Sequence, residues 1–317
     1  MKHTLMTSAA MALAAAALWG TTGTAQHFAP AATSAYWVGA LRLLVASGFF
    51  AVFVAWQQRG HGFASVQLRA VAGWIAVAGG CMAAYNLTFF AGVKATGVAT
   101  GTALAIGSGP IWAGVLQTVV SRTPPPAAWW LGTLLAIAGA VLLVSGNSTG
   151  QPIDPLGVVL CLLAGLSYAT YTLISKKLVA QVAPAVITLW TFTVAAAIAV
   201  PVAALVSGPF SSNEAGWVVV SYLGLVTTGV AYLLFSQALR HLSGATGVTL
   251  ALAEPATAFV LAIVVVGERP QWGAFVGLGL LLTGLGFVLW TESRGSQRSI
   301  ELDDDAPAGT RATGCGS

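Results

Sequence analysis

Residues 85–94 read Tyr85-Asn86-Leu87-Thr88-Phe89-Phe90-Ala91-Gly92-Val93-Lys94. Residues 231–240 read Ala231-Tyr232-Leu233-Leu234-Phe235-Ser236-Gln237-Ala238-Leu239-Arg240. Phe89 falls against Phe235 and Lys94 against Arg240. Each stretch leads into an Ala/Gly/Thr-rich apolar segment with a proline inside it, Pro110 or Pro255. A proline-bearing turn follows, at Pro124 or Pro270, and then a Gly/Leu-rich segment. The chain thus repeats itself over residues 85–146 and 231–290. The parts before these align more loosely, with Leu18-Trp19-Gly20-Thr21 against Ser167-Tyr168-Ala169-Thr170.

Working outward, ten apolar segments can be marked: 5–25, 34–56, 67–90, 96–120, 127–146, 154–175, 184–206, 214–238, 244–266 and 271–290. Each has about 20 residues, enough to cross roughly 30 Å of hydrocarbon as a helix. An unpaired backbone group in lipid costs several kcal/mol, so a spanning chain is a helix or a closed barrel. A barrel would show short alternating segments, and these are uniformly apolar. Composition agrees: 57% of residues are apolar and 7% charged, against about 45–50% and 25% in soluble domains. Too few charges exist to coat a water-facing surface, so most of the exterior must face the lipid bilayer.

The connections are short and hold Pro124-Pro125-Pro126, Ser207-Gly208-Pro209 and Gly267 to Pro270, which forces neighbouring spans to run antiparallel. Five spans per half then means that the halves enter the membrane from opposite sides, an inverted repeat with its site near the midplane. The expected fold is an all-α membrane protein of ten transmembrane helices. Residues 5–146 form the first five-helix repeat and 154–290 the second. Residues 291–317, with Asp303-Asp304-Asp305, form a polar, disordered cytoplasmic tail. Residues 1–25 resemble a secretory leader, but Thr21 to Gln26 offer no clear cleavage site, so they read as the first span.

The formal net charge is +4, but the cations are scattered singly and form no nucleic-acid-binding face. Lys2, Arg59, Arg69, Arg122, Lys176, Lys177, Arg269, Arg294, Arg298 and Arg311 are assigned to the side of the two termini, and Lys94 and Arg240 to the other. That imbalance predicts cytoplasmic N- and C-termini in the plasma (inner) membrane.

Charge inside a span is the most informative chemical signal. Arg42 sits in Trp37-Val38-Gly39-Ala40-Leu41-Arg42-Leu43-Leu44 and Glu254 in Leu250-Ala251-Leu252-Ala253-Glu254-Pro255. A central charge costs at least about 2.5–3.5 kcal/mol to insert, so each should face a cavity or the protein interior. Either they form a substrate or proton pathway, or they form a structural ion pair with each other. Pro110 and Pro255 should kink their helices. Trp19, Tyr85, Asn86, Tyr168, Trp190 and Tyr232 lie inside spans and are candidates to line a cavity; ordinary packing is the competing reading. Trp129, Trp130 and Trp272 read as an interfacial belt. Gly97-x-x-x-Gly101 and Gly273-x-x-x-Gly277 read as sites of close helix packing.

Cys81, Cys161 and Cys315 are far apart, with no Cys/His cluster, so neither a metal nor a disulfide framework is expected. No Gly-x-x-x-x-Gly-Lys loop occurs, so no nucleotide is expected. Only one acid lies deep, and His3, His27, His61 and His241 lie near segment ends, which disfavours an intramembrane enzyme.

The sequence resembles the EamA family of the drug/metabolite transporter superfamily. The resemblance covers about residues 5–290 and rests on Leu18-Trp19-Gly20, Leu41-Arg42-Leu43, the stretches ending at Lys94 and Arg240, Glu254-Pro255, and Gly267-Glu268-Arg269. It implies a ten-helix bundle with a central cavity, no cofactor, and export of amino acids or similar small-molecule metabolites. It also implies that Arg42 and Glu254 occupy the family's recurrent charged positions. The first half departs from the pattern, with Gly109-Pro110 in place of Glu254-Pro255. Export of a small polar metabolite is the leading expectation, and multidrug cation/proton exchange through Glu254 is the alternative.

Overall fold

Every apolar segment folds as a helix, because only the helix satisfies its backbone groups within one segment. The computed structural model describes residues 2–28, 34–57, 65–145, 154–267 and 270–304, and all regular structure among them is helical. The first half comprises α1 (Lys2–His27), α2 (Ala35–Gln57), α3 (Ser65–Thr96), α4 (Val98–Ser121) and α5 (Ala127–Ser145). The second comprises α6 (Pro155–Leu178), α7 (Pro184–Ser207), α8 (Glu214–Ala238), α9 (Gly244–Val265) and α10 (Trp272–Asp304). Among the described residues nine helices are long and apolar enough to cross a membrane; the apolar part of α5, Ala127–Leu143, is shorter.

The helix starts follow from local chemistry. Asp154 accepts from the Leu156 N–H ahead of Pro155, and Asn213 accepts from the Gly216 N–H at the start of α8. Each side chain pairs a backbone donor that the first turn leaves free. The α3–α4 turn is made by Gly97 at φ +86°, a backbone shape that costs glycine little.

The packing between halves is reciprocal. α3 lies on α6 and α7 as α8 lies on α1 and α2; α4 lies on α6 as α9 lies on α1. α2 meets α7, and α5 meets α10. The main contacts between the halves are thus matched, as expected of two halves related by an approximate two-fold axis, although α5 meets α9 without a comparable contact of α4 with α10.

The α5–α10 contact is backbone against backbone. A Cβ on Gly139 would stand 2.6 Å from the Gly277 carbonyl oxygen, and one on Gly284 would stand 2.6 Å from the Gly132 carbonyl oxygen. Small residues let the helices approach this closely, and dispersion then holds them together where lipid supplies no hydrophobic drive. The spacing differs from the sequence expectation. Gly277 pairs with Gly284, two turns on, while Gly273 faces open space. Gly97 also faces open space and serves the turn.

The two mid-helix prolines differ in local backbone: Pro110 lies inside the α-helix Val98–Ser121, whereas Pro255 follows a tightened 3₁₀ turn at Ala251–Ala253. Proline has no N–H to offer the Ala251 carbonyl, and the Glu254 N–H bonds that carbonyl instead. Trp129 is no belt residue: it is buried against Gly114 of α4. Trp272, by contrast, is 86% exposed. The last helix continues to Asp304, so the start of the tail expected to be disordered from residue 291 is helical. Cys315, Asp305 and the Glu268-Arg269 pair lie outside the described residues.

The charge assignment is corrected too. Lys176, at the C-terminal end of α6, donates from Nζ to the carbonyls of Leu239 (2.8 Å) and Arg240 (3.3 Å). Glu292 of α10 accepts from Ser243 in the next turn. Arg240 therefore lies at the end of the bundle where α6 and α10 finish, opposite to the side first assigned. Strict alternation of ten spans moves Arg269 the other way, so the imbalance between faces is unchanged.

Candidate functional site

A cavity of about 840 Å³ lies between the halves. Its deep wall comes from the middle of the helices: Trp19, Arg42, Tyr85, Tyr168, Tyr232, Val248, Ala251 and Glu254. Its mouth comes from helix ends that share one face: Gln26 of α1, Ser34 and Tyr36 at the start of α2, Lys94 and Gly97 at the α3–α4 turn, and Ser207 of α7. Among the described residues, none that lines it comes from the ends of α4, α6, α8 or α10 on the opposite face. The cavity is thus a funnel open at one face.

The two intramembrane charges both line this funnel and make no direct ion pair, the structural alternative raised by the sequence. Arg42 donates from Nη2 to Asn86 Oδ1 at 2.7 Å. Asn86 is 2% exposed and is oriented by its amide, which donates to the Met82 carbonyl at 3.0 Å. The Arg42 guanidinium also stands 6.0 Å from the centre of the Phe90 ring. Gly39 makes this arrangement possible, since a Cβ there would run into Phe90. Arg42 Nε is buried without a partner. The Glu254 carboxylate takes no hydrogen bond from a described residue and is partly exposed into the cavity.

Aromatic rings surround the carboxylate's level. The Trp19 ring lies 4.9 Å from that of Tyr232, 5.2 Å from Phe235 and 6.3 Å from Tyr168. Tyr85 and Tyr168 are 5.4 Å apart. Trp19 and Tyr168, matched between the halves in the sequence, therefore meet across the approximate two-fold axis. Trp19 Nε1 and the Tyr168 hydroxyl are buried without partners. Unpaired buried polar atoms are costly, and they are tolerated where a ligand can complete them. Gly20 lets α1 approach α9: a Cβ on it would stand 2.6 Å from the Glu254 carbonyl oxygen.

Of the sequence-predicted residues, Arg42, Glu254, Trp19, Tyr85, Tyr168 and Tyr232 line the cavity, and Asn86 supports Arg42 from behind. Trp190 does not join them; it is 41% exposed on α7 and lines no part of the cavity. Neither proline lines the cavity: Pro255, next to Glu254 in sequence, and Pro110 in α4 are both buried away from the lining. The mouth residues Lys94, Gln26, Ser34 and Ser207 were not anticipated. Lys94 alone carried a sequence signal, as a cation at the less basic face. No cluster of metal ligands occurs among the described residues.

The EamA-like transporter family matches the chain twice, at residues 6–145 and 155–290, which is the division into two five-helix halves. The chain belongs to the EamA-like transporter family. An "Uncharacterized transporter YwfM" of Bacillus subtilis (strain 168) is 38% identical over 277 residues, covering 86% of this chain and 90% of the relative. A second B. subtilis protein, "Uncharacterized transporter YxxF", is 29% identical over 161 residues, about half of each chain. A crystal structure matches 90% of this chain and 98% of its own at a TM-score of 0.77 and 19% identity, a likeness of fold. This EamA-like protein is a multi-pass membrane transporter.

Proposed function

We propose that this EamA-like protein exports small polar metabolites, with amino acids as the leading class, by alternating access between two inverted halves. The observation that carries the reading is the unpartnered Glu254 carboxylate facing a cavity that Arg42 also lines. A zwitterion offers an ammonium to Glu254 and a carboxylate to the free Nε side of Arg42, while its side chain meets the aromatic wall. At low dielectric such contacts are far stronger than in water. The cation imbalance supports cytoplasmic termini in a plasma-membrane protein, and on that reading the funnel opens outward in this conformation. The test is purified protein in liposomes loaded with labelled amino acids. Efflux of at least one, above protein-free liposomes, is expected; no efflux of any candidate, with or without a pH gradient, refutes the amino-acid reading.

The ring cluster favours a second reading, exchange of an aromatic or quaternary cation for protons at Glu254, because aromatic faces attract cations. Here Glu254→Gln would abolish proton coupling and drug resistance together, and unchanged resistance would rule it out.

The support given to Arg42 leads to a specific expectation. Asn86→Ala leaves the guanidinium without its acceptor, and a hydrogen bond to a charged group contributes about 1.5–3 kcal/mol. If Arg42 must be held in place for transport, the initial efflux rate falls by about ten- to a hundredfold on that scale. Membrane abundance should be little changed. A rate equal to wild type would show that Arg42 needs no support from Asn86.

A further inference from the structure

At the face opposite the mouth, one turn is clamped between two charges. The chain leaves α8 at Ala238, turns through Leu239–Ser243 and enters α9 at Gly244. Lys176 of α6 donates from Nζ to the carbonyls of Leu239 and Arg240, at the negative end of the α8 dipole. Glu292 of α10 accepts from the Ser243 N–H (2.7 Å), the Ser243 hydroxyl (3.2 Å) and the Thr246 hydroxyl (2.6 Å), at the positive end of α9. Gln117 of α4 adds a third tie, accepting from the Ala245 N–H at 3.2 Å. Three helices from both halves thus hold one turn.

The equivalent turn in the first half is built differently. The α3–α4 turn is closed by its own backbone, with Gly97 N–H to the Val93 carbonyl and Gly101 N–H to the Gly97 carbonyl, both at 2.9 Å. Lys94 and Gly97 line the open mouth. The α8–α9 turn is held by charged side chains at the end of the bundle away from the mouth. Among the described residues the α3–α4 turn, at the open end, has no such charged tie, and its side-chain link to α6 is the weak contact of the Thr96 hydroxyl with the Cys161 thiol at 3.9 Å.

We infer that Lys176, Glu292 and Gln117 form a latch that holds the inner end of this transporter closed, and that its release is the step opening the cavity to the other side. The latch is polar and single-layered, so it can break without disturbing the glycine-packed α5–α10 contact. Its ties to α4 and α10 couple the turn to both halves, as a two-state element requires. This inference rests on the transporter reading for the existence of a second, inward-open state.

Hydrogen–deuterium exchange on the full chain in lipid nanodiscs tests it without any substrate. In Glu292→Gln and in Lys176→Met, amides at 239–246 should exchange about tenfold faster, the scale of one lost charge-assisted hydrogen bond. Amides at 94–101 should at the same time exchange more slowly, because the other end closes as this one opens. Acceleration at 239–246 without slowing at 94–101 would reduce the clamp to local bracing and overturn the inference, as would no change at either turn. A variant that exchanges faster throughout α5 and α10 is unfolded, and the other variant then decides. Unfolding of both overturns the inference, since a latch is dispensable for folding. Reciprocal exchange in a protein that moves no amino acid would uphold the latch and refute only the cargo.

Discussion

Glu254→Gln is expected to abolish net efflux while leaving the protein folded and inserted at wild-type levels. The two effects separate because the carboxylate takes no hydrogen bond from a described residue, so the isosteric amide breaks nothing in the resting structure. A carboxylate at membrane depth is itself unfavourable, the attraction of Arg42 across the cavity offsets part of that cost, and thermal stability in detergent should stay near wild type. Transport should suffer severely. Removing one partner of a desolvated pair costs about 3–5 kcal/mol, more than a hundredfold in rate if the ammonium or proton contact is made during translocation. Initial rates in proteoliposomes, beside melting curves of the same preparations, measure both. A variant with wild-type efflux, or one that melts earlier and transports proportionately less, would make Glu254 a structural residue.

The second large effect concerns the fold. Gly139→Leu should prevent stable assembly of the bundle. The added Cβ alone would stand 2.6 Å from the Gly277 carbonyl oxygen and closer still to the Leu281 backbone nitrogen. Backbone cannot rotate aside as a flexible side chain can, so α5 and α10 must part. Overpacking costs about 1–3 kcal/mol in adaptable cores, and a rigid backbone contact stands at or above the top of that range. The same side chain at Gly273, which faces open space on the partner helix α10, should be tolerated. Detergent-solubilised yield and melting temperature of the two variants give the comparison. Equal stability would show that the close approach of α5 to α10 does not matter.

The spans were legible because lipid demands long apolar segments and short polar turns. α2 was expected at 34–56 and is found at Ala35–Gln57; α7 was expected at 184–206 and is found at Pro184–Ser207. Arg42 and Glu254 were legible because charge at depth is costly unless a cavity receives it. Helix faces were much less so. In a soluble helix the outside is polar and the inside apolar, so periodicity reveals the face. Here the outside is as apolar as the inside, and nothing distinguished outward Trp190 from inward Tyr232. The latch was hidden for another reason: Gln117, Lys176 and Glu292 sit at span ends, where polar residues are expected in any case. The π-helical stretch Leu223–Val230 carries no proline to announce it.

Labelling from one side of the membrane shows which face the cavity opens to and whether solute passes through it. Thr102 lines the cavity from α4. A Thr102→Cys chain in intact cells should react with a membrane-impermeant maleimide added outside, above the background of the native cysteines. A transported solute should slow that reaction. Labelling that appears only after the cells are permeabilised would place the mouth on the wrong side, and labelling indifferent to every solute would mean that the cavity is not the substrate's path.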